Sequence, residues 1–142
     1  MDDDGIPKTV EGRIRVVERL VAEAGRVGVP LSSIYVDPLV MALSADNGAG
    51  LVALKTVTGI KAHWPEIRTT CGLSNISFGL PNRRLLNRTF FAMLMAAGLD
   101  SAIIDPLDSQ MMAAALAGSA LLGRDEFCMK YLKGYRAKKL EV

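Results

Sequence analysis

The chain has 142 residues, with 17 Lys and Arg against 15 Asp and Glu and one His, for a formal net charge of +2. That length suits one domain, and the near-balance of charge argues for no nucleic-acid partner. Half the residues are hydrophobic and the mean hydropathy is +0.25, yet no apolar run reaches the roughly 18 residues that would span a bilayer; the excess apolarity points to a chain that covers surface with another copy or with a missing part of itself.

The opening "MDDDGIPKTVEG" is acidic and has no apolar signal core, so secretion is not expected. Cys71 and Cys128 form no CxxC or zinc spacing and are expected to be reduced thiols in a cytoplasm. Thr9 is placed to cap a first helix, and Val10, Ile14, Val17, Val21 and Ala24 step along one face of it until Gly25 and Gly28. "SIYVDPL" is β-rich and ends at Asp-Pro, which predicts a strand over about 33–37. Leu51, Leu54, Val57 and Ile60 predict a second helix that stops by Trp64-Pro65. "IRTTCGL" predicts a strand over 68–72, and Pro81 is placed as the first residue of the next helix. That helix carries Leu85, Leu86, Phe90, Phe91, Met93, Leu94 and Met95, and ends at Gly98. "SAIIDPL" predicts a third strand over 101–105, followed by a helix apolar nearly all round and a last one over about 125–138 with a basic end.

Strands alternating with helices imply parallel pairing and an α/β class. Two strands end alike, in "YVDPL" and "IIDPL", and each Asp falls where its strand ends. In parallel α/β folds the strand C-termini form the ligand face. Three strands are too few for a (β/α)₈ barrel, which takes about 250 residues. The chain could supply three β/α units of one, or form a small open sheet with two bare edges.

Several chemistries find no support. There is no Walker loop, GxGxxG, HExxH or His/Cys cluster, so no metal site is expected. His63 reads as a helix-end residue, Cys71 as a packed strand residue rather than a nucleophile, and the lysines of 130–139 as a solvated helix face. Serine hydrolysis lacks the GxSxG elbow. Arg83, Arg84 and Arg88 open a helix, where positive charge opposes the dipole, which hints at a role for one of them. Two features remain. Asp37 is either a turn residue before Pro38 or a site carboxylate, and Asn75 is either an Asx-turn residue or a site amide. On neighbouring parallel strands the two would share one rim, roughly 5 Å apart laterally. A carboxylate accepting two N–H bonds beside an amide that both donates and accepts suits a polar heterocycle better than hydrolysis.

Over nearly the whole chain, "DPLVMALSADNGAGLVALKTVTGIK" followed by "TTCGLSNISFGLPNRRLLNRTFFAMLMAAGLDSAIIDP" closely resembles the methyltetrahydrofolate:corrinoid methyltransferases. These share a pterin-binding (β/α)₈ barrel with dihydropteroate synthase and with the folate module of cobalamin-dependent methionine synthase. The signature "GLSNISFGLPNR…LNRTF" is far more specific than a short motif. The resemblance implies that residues 1–142 are the C-terminal half of such a domain and that "MDDDGIPKT" is an internal segment. It implies methyl transfer from N5 of methyltetrahydrofolate to cobalamin held on a separate corrinoid protein. Asp37 would be the pterin-binding aspartate and Asn75 the catalytic asparagine that hydrogen-bonds the reacting region. Gly72, Ser74, Ser77 and Arg83 would form the surrounding pterin loop, and no metal would be needed on this subunit.

The family's other pterin-contacting residues lie on earlier strands that this chain lacks. Folate binding by the isolated chain is therefore expected to be weak or absent. Homodimerisation, or pairing with a missing N-terminal half, is expected to cover the apolar faces. Two other readings stand beside this one. A dihydropteroate synthase-like enzyme would need a lysine-bearing loop and an Arg-x-His motif that are not seen. A non-catalytic half-barrel would persist as an assembly module.

Overall fold

Thr9 caps the first helix as its position predicts. Its Oγ1 accepts the Gly12 N–H at 3.1 Å, and α1 runs Val10–Arg26. The computed structural model describes residues 5–140, so the first four residues of "MDDDGIPKT" lie outside the described residues. Beyond α1, the elements in chain order are β1 (Tyr35–Val36), α2 (Ala49–His63), β2 (Arg68–Gly72), α3 (Arg83–Ala97), β3 (Ser101–Ile103), α4 (Ser109–Leu121) and α5 (Met129–Arg136). Single 3-10 turns occupy Leu31–Ser33, Leu73–Ser77 and Glu126–Cys128.

All three strands are parallel, in the order β1-β2-β3. Val36 pairs with Thr69, and Cys71 pairs with Ala102. Successive right-handed crossovers put the connecting helices on one side of such a sheet. Burial along the strands follows that layout. Val36, Thr69 and Cys71 are buried, whereas Tyr35, Arg68, Gly72, Ser101 and Ile103 are exposed. The α/β class and the parallel pairing are therefore as expected, with one sheet face packed and the other bare. On the bare face Arg68 Nη1 donates to the Tyr35 hydroxyl at 2.8 Å.

The larger core cluster joins Val57 of α2, Cys71 of β2, Phe90, Phe91, Leu94 and Met95 of α3, and Met111 of α4. A smaller one joins Val17 of α1, Val36, Ile60 and Ile67. The helix over 85–97 is less apolar-exposed than its sequence suggests, with Leu85 and Met93 the only large hydrophobic side chains on it that are largely open. Coverage is thinner on α4, where Met111 and Ala113 alone are buried.

Four elements differ in their bounds from the sequence expectation, each for a local reason. The first strand is Tyr35–Val36 rather than 33–37, because Ser33 and Ile34 donate their N–H groups to Pro30 and Leu31 in a 3-10 turn. At its other end, Pro38 has no N–H to continue a ladder. The third strand stops at Ile103 rather than 105, where Asp105 Oδ1 turns back to accept the Leu107 N–H at 2.9 Å. Pro81 is not the first helical residue. Asn82 intervenes in the left-handed region (φ 48°), and α3 begins at Arg83. The last helix is also shorter than 125–138. Asp125 stands before it and accepts the N–H groups of Lys130 and Tyr131, each at 2.9 Å.

A polar knot ties the sheet at the end where β2 and β3 begin. The Asp100 carboxylate accepts the Thr69 N–H at 2.7 Å and its hydroxyl at 3.0 Å. It also pairs with the Lys61 ammonium at 2.6 Å, and Lys61 donates to the Ile67 carbonyl at 2.7 Å. Burial works to raise the Asp100 pKa, but the bonds from Lys61 and Thr69 outweigh it and hold the carboxyl below its ordinary value. A carboxyl depressed in the folded state adds stability above its unfolded pKa of about 3.9, and that stability is lost as pH falls through the folded value. Asp100→Asn should therefore lower the urea midpoint near neutral pH, and the gap from the parent should close as pH drops below about 4. A gap that stays constant across that range would argue against the knot.

Candidate functional site

The C-terminal ends of β1 and β2 lie side by side, and the segments that follow them are tied together. Leu43 donates its N–H to the Ile76 carbonyl at 3.0 Å, and Asn75 Nδ2 donates to the Val40 carbonyl at 2.6 Å. The residues after Asp37 and the turn that carries Asn75 thus form one rim. Because Val40 offers a carbonyl, the Asn75 amide must turn its NH₂ toward it. One N–H and the Oδ1 of this exposed residue remain for something else.

Asp37 leaves β1 in an Asx turn, with Oδ1 accepting the Leu39 N–H at 2.8 Å. Leu39 is held in the left-handed region at φ 59°. Among the described residues no partner is recorded for Asp37 Oδ2. The structural reading of Asp37 as a turn residue is therefore correct as far as Oδ1 goes, and one carboxylate oxygen is still open to solvent.

The other residues singled out in "GLSNISFGLPNR" divide. Gly72 ends β2, and a Cβ built there would meet nothing within 4 Å. No packing demand of this chain requires glycine at that point, and the strand end is open to a flat group. Gly79 differs: its φ is +78° and a Cβ would lie 3.1 Å from Ser44 Oγ. Ser44 in turn donates to the Phe78 carbonyl at 2.7 Å, so the turn itself calls for glycine at 79. Ser77 is 0% exposed. Its hydroxyl donates to the Ser74 carbonyl at 3.2 Å and accepts from Arg83 Nε at 3.0 Å. Arg83 Nη2 also reaches the Ser74 carbonyl at 2.8 Å, and the guanidinium lies 6.0 Å from the centroid of the Phe78 ring. Ser74, Ser77 and Arg83 are thereby knitted into the framework that supports Asn75.

The three arginines at the start of α3 have separate fates. Arg83 holds the turn. Arg88 grips Asp108, the N-cap of α4, with Nε and Nη2 contacts of 2.8–3.1 Å. The bond from Arg88, then one from the Met111 N–H, holds the Asp108 carboxyl below its ordinary pKa despite desolvation. Arg84 lines a cavity of about 270 Å³ with Ser74, Asn87 and Asp105. His63 behaves as expected, its Nδ1 donating to the Gly59 carbonyl at 2.8 Å within its own helix.

One residue was not signalled as functional by the sequence. Arg13, on α1, is 5% exposed. Its Nε donates to the Pro7 carbonyl at 3.0 Å and its Nη1 to the Pro38 carbonyl at 2.5 Å. A signal did exist, since Arg13 stands three residues after Val10 and four before Val17, on the helix face expected to be apolar.

Against known proteins, no family model matches the chain. A methylcorrinoid:tetrahydrofolate methyltransferase of Eubacterium limosum is 44% identical over 139 residues, which make up 98% of this chain and 51% of the relative. It resembles that methyltransferase along nearly its whole length. Methionine synthases of Mycobacterium tuberculosis and Mycobacterium leprae are 35% and 37% identical over 111 residues, or 73% of this chain and 9% of each of those proteins. The resemblance drawn from "GLSNISFGLPNR" is thus borne out. The chain spans about half the length of the first relative and about a tenth of the methionine synthases.

Cys71 is 0% exposed. Burial, and then the negative charge of Asp37, push its thiol up to about 11, which leaves almost no thiolate at neutral pH. Cys128 is exposed. A thiol reagent applied to the native chain near neutral pH should therefore label Cys128 promptly and Cys71 only after denaturant is added. Fast native labelling of both would refute the packed role of Cys71.

Proposed function

We propose that residues 1–142 form the C-terminal half of a pterin-binding (β/α)₈ barrel. Joined with the rest of such a barrel, the chain would move a methyl group between N5 of methyltetrahydrofolate and the cobalamin of a corrinoid protein. The observation that carries this reading is the 44% identity, over 98% of the chain, to the Eubacterium limosum methyltransferase. The fold supports it in two ways. A parallel sheet normally has both faces covered, and here Tyr35, Arg68, Ser101 and Ile103 stand exposed on a bare face, as the lining of an incomplete barrel would. The Asp37 and Asn75 segments also share the strand C-terminal rim, where ligands of such folds bind.

The residues fit the chemistry they are assigned. Asp37 has one carboxylate oxygen free to accept from the amide and amino edge of a pterin, and so would orient the ring. Gly72 leaves room beside it. The N5 of methyltetrahydrofolate is a tertiary amine and a poor leaving group, so methyl loss needs a hydrogen bond or proton as negative charge develops there. Asn75 has an N–H left after serving Val40, and can strengthen such a bond without titrating. Ser74, Ser77 and Arg83 would act at this site by keeping the Asn75 turn in place. The corrinoid, carried by its own protein, supplies the cobalt that exchanges the methyl group. The name of the Eubacterium limosum relative writes the transfer from corrinoid to folate, the reverse of the direction first read from the sequence; the same contacts serve both directions, because both pass through one transition state.

Among the described residues no helix is long and apolar enough to cross a membrane. Leu107, Leu121 and Phe127 are 90%, 87% and 84% exposed, which supports association either with the missing barrel half or with a second copy.

The test is methyl transfer with purified corrinoid protein, using the chain alone and mixed with that half of the Eubacterium limosum relative which it does not match. Activity is expected only in the mixture, and none in either sample would count against a split barrel. In the active mixture Asn75→Ala should lower kcat by about 10- to 1000-fold with a modest change in folate affinity. Loss of affinity without loss of kcat would move Asn75 from chemistry to binding.

A further inference from the structure

The two Asp-Pro-Leu turns are the same in sequence and in their Asx bond, but only one is anchored. Asp37 Oδ1 accepts from Leu39 at 2.8 Å, and Asp105 Oδ1 from Leu107 at 2.9 Å. At the second turn Pro106 and Leu107 are exposed, and Leu107 keeps a negative φ. At the first, Pro38 is fully buried and Leu39 is forced to φ 59°. A left-handed leucine costs roughly 1 kcal/mol or more, so its surroundings must impose it.

The surroundings include a buried cation. Arg13 reaches the Pro38 carbonyl through Nη1 and the Pro7 carbonyl through Nε. It therefore clamps the segment ahead of α1 to the segment after β1. Two cavities of about 400 Å³ flank the clamp, and Arg13 lines both. No carboxylate contacts it among the described residues; Asp37 and Asp46 act on it only through space, against a desolvation that lowers its pKa. A guanidinium so buried, bonded to two carbonyls and, among the described residues, to no acid, is poorly explained as a stabilising ion pair. Its planar fork is well explained as a geometric brace, because Nε and Nη1 point in fixed directions.

We propose that Arg13 is the positioning residue of the rim: it holds the Asp37-Pro38-Leu39 turn in its strained form, and so sets where the Asp37 carboxylate points. The structural part of this stands independently. Its consequence for folate rests on the reading of Asp37 as the pterin carboxylate.

Hydrogen exchange separates the two parts, with the second turn as an internal control. In Arg13→Met the Leu39 N–H should exchange about 10- to 100-fold faster, the range expected for loss of a charge-assisted anchor, while Leu107 exchange and the helical circular dichroism stay unchanged. Arg13→Lys keeps the charge but not the fork, and should give most of the same acceleration. Unchanged Leu39 exchange in a folded Arg13→Met chain would overturn the proposal, as would equal acceleration at Leu39 and Leu107, which signals a loss of global stability alone. In the reconstituted methyl-transfer mixture Arg13→Met should raise KM for methyltetrahydrofolate about tenfold with kcat largely kept. Faster Leu39 exchange with an unchanged KM would uphold the brace and overturn the assignment of Asp37 to the pterin.

Discussion

Every other element depends on how β2 is held, because it alone has a strand on each side. Its alternation is strict: Thr69 and Cys71 are buried against the helices while Arg68 and Gly72 face away. A shift of one residue would reverse which side chains meet the core. The apolar side of that arrangement is supplied by α2 and α3, whose Val57 and Leu94 are both 0% exposed. Thr69 is polar and equally buried, and it is tolerated because Asp100 accepts from both its N–H and its hydroxyl. Side-chain burial sets the register of the sheet, and one satisfied polar group pins its end.

The rim is built on a different principle. Val40, Leu73 and Ile76 root it in the larger core, and above them its order comes from hydrogen bonds that cross between loops: Asn75 to Val40, Leu43 to Ile76, Ser44 to Phe78, and Arg83 to Ser74. Loops at strand ends leave backbone carbonyls that must find donors. Here the donors are the side chains of Asn75, Ser44 and Arg83 and the backbone N–H of Leu43, so the carbonyls that shape the rim are already satisfied. Asp37 and Asn75 each give one atom to this framework and keep another outside it. Ser77 gives everything it has.

The alternation of strands and helices, the strand centres and the Thr9 cap could all be read from the sequence, since each rests on periodicity or on a local bond. The strand ends could not, because Pro38 and the 3-10 turn at Leu31–Ser33 cut β1 to two residues where composition suggested five. The turn at Leu73–Ser77 was legible as polar and special but not in its internal division of labour. Whether Ser77 faces a ligand or a neighbouring arginine is decided by Arg83, six residues away and on another element. Arg13 was hidden for a related reason. A charged residue on an apolar helix face reads as an interruption until Pro7 and Pro38 are seen converging on it. Local chemistry was visible, and pairings across elements needed the fold.

The knot of Asp100, Thr69 and Lys61 lies at the end where β2 and β3 begin, whereas Asp37, Gly72 and Asn75 lie where the strands finish. The polar anchor and the proposed pterin contacts therefore lie at opposite poles of the same three strands. If the rim binds as proposed, its outward-facing atoms can change without disturbing the bonds of the knot, so a lineage carrying this scaffold could vary its ligand at one pole while the other keeps the strands in register.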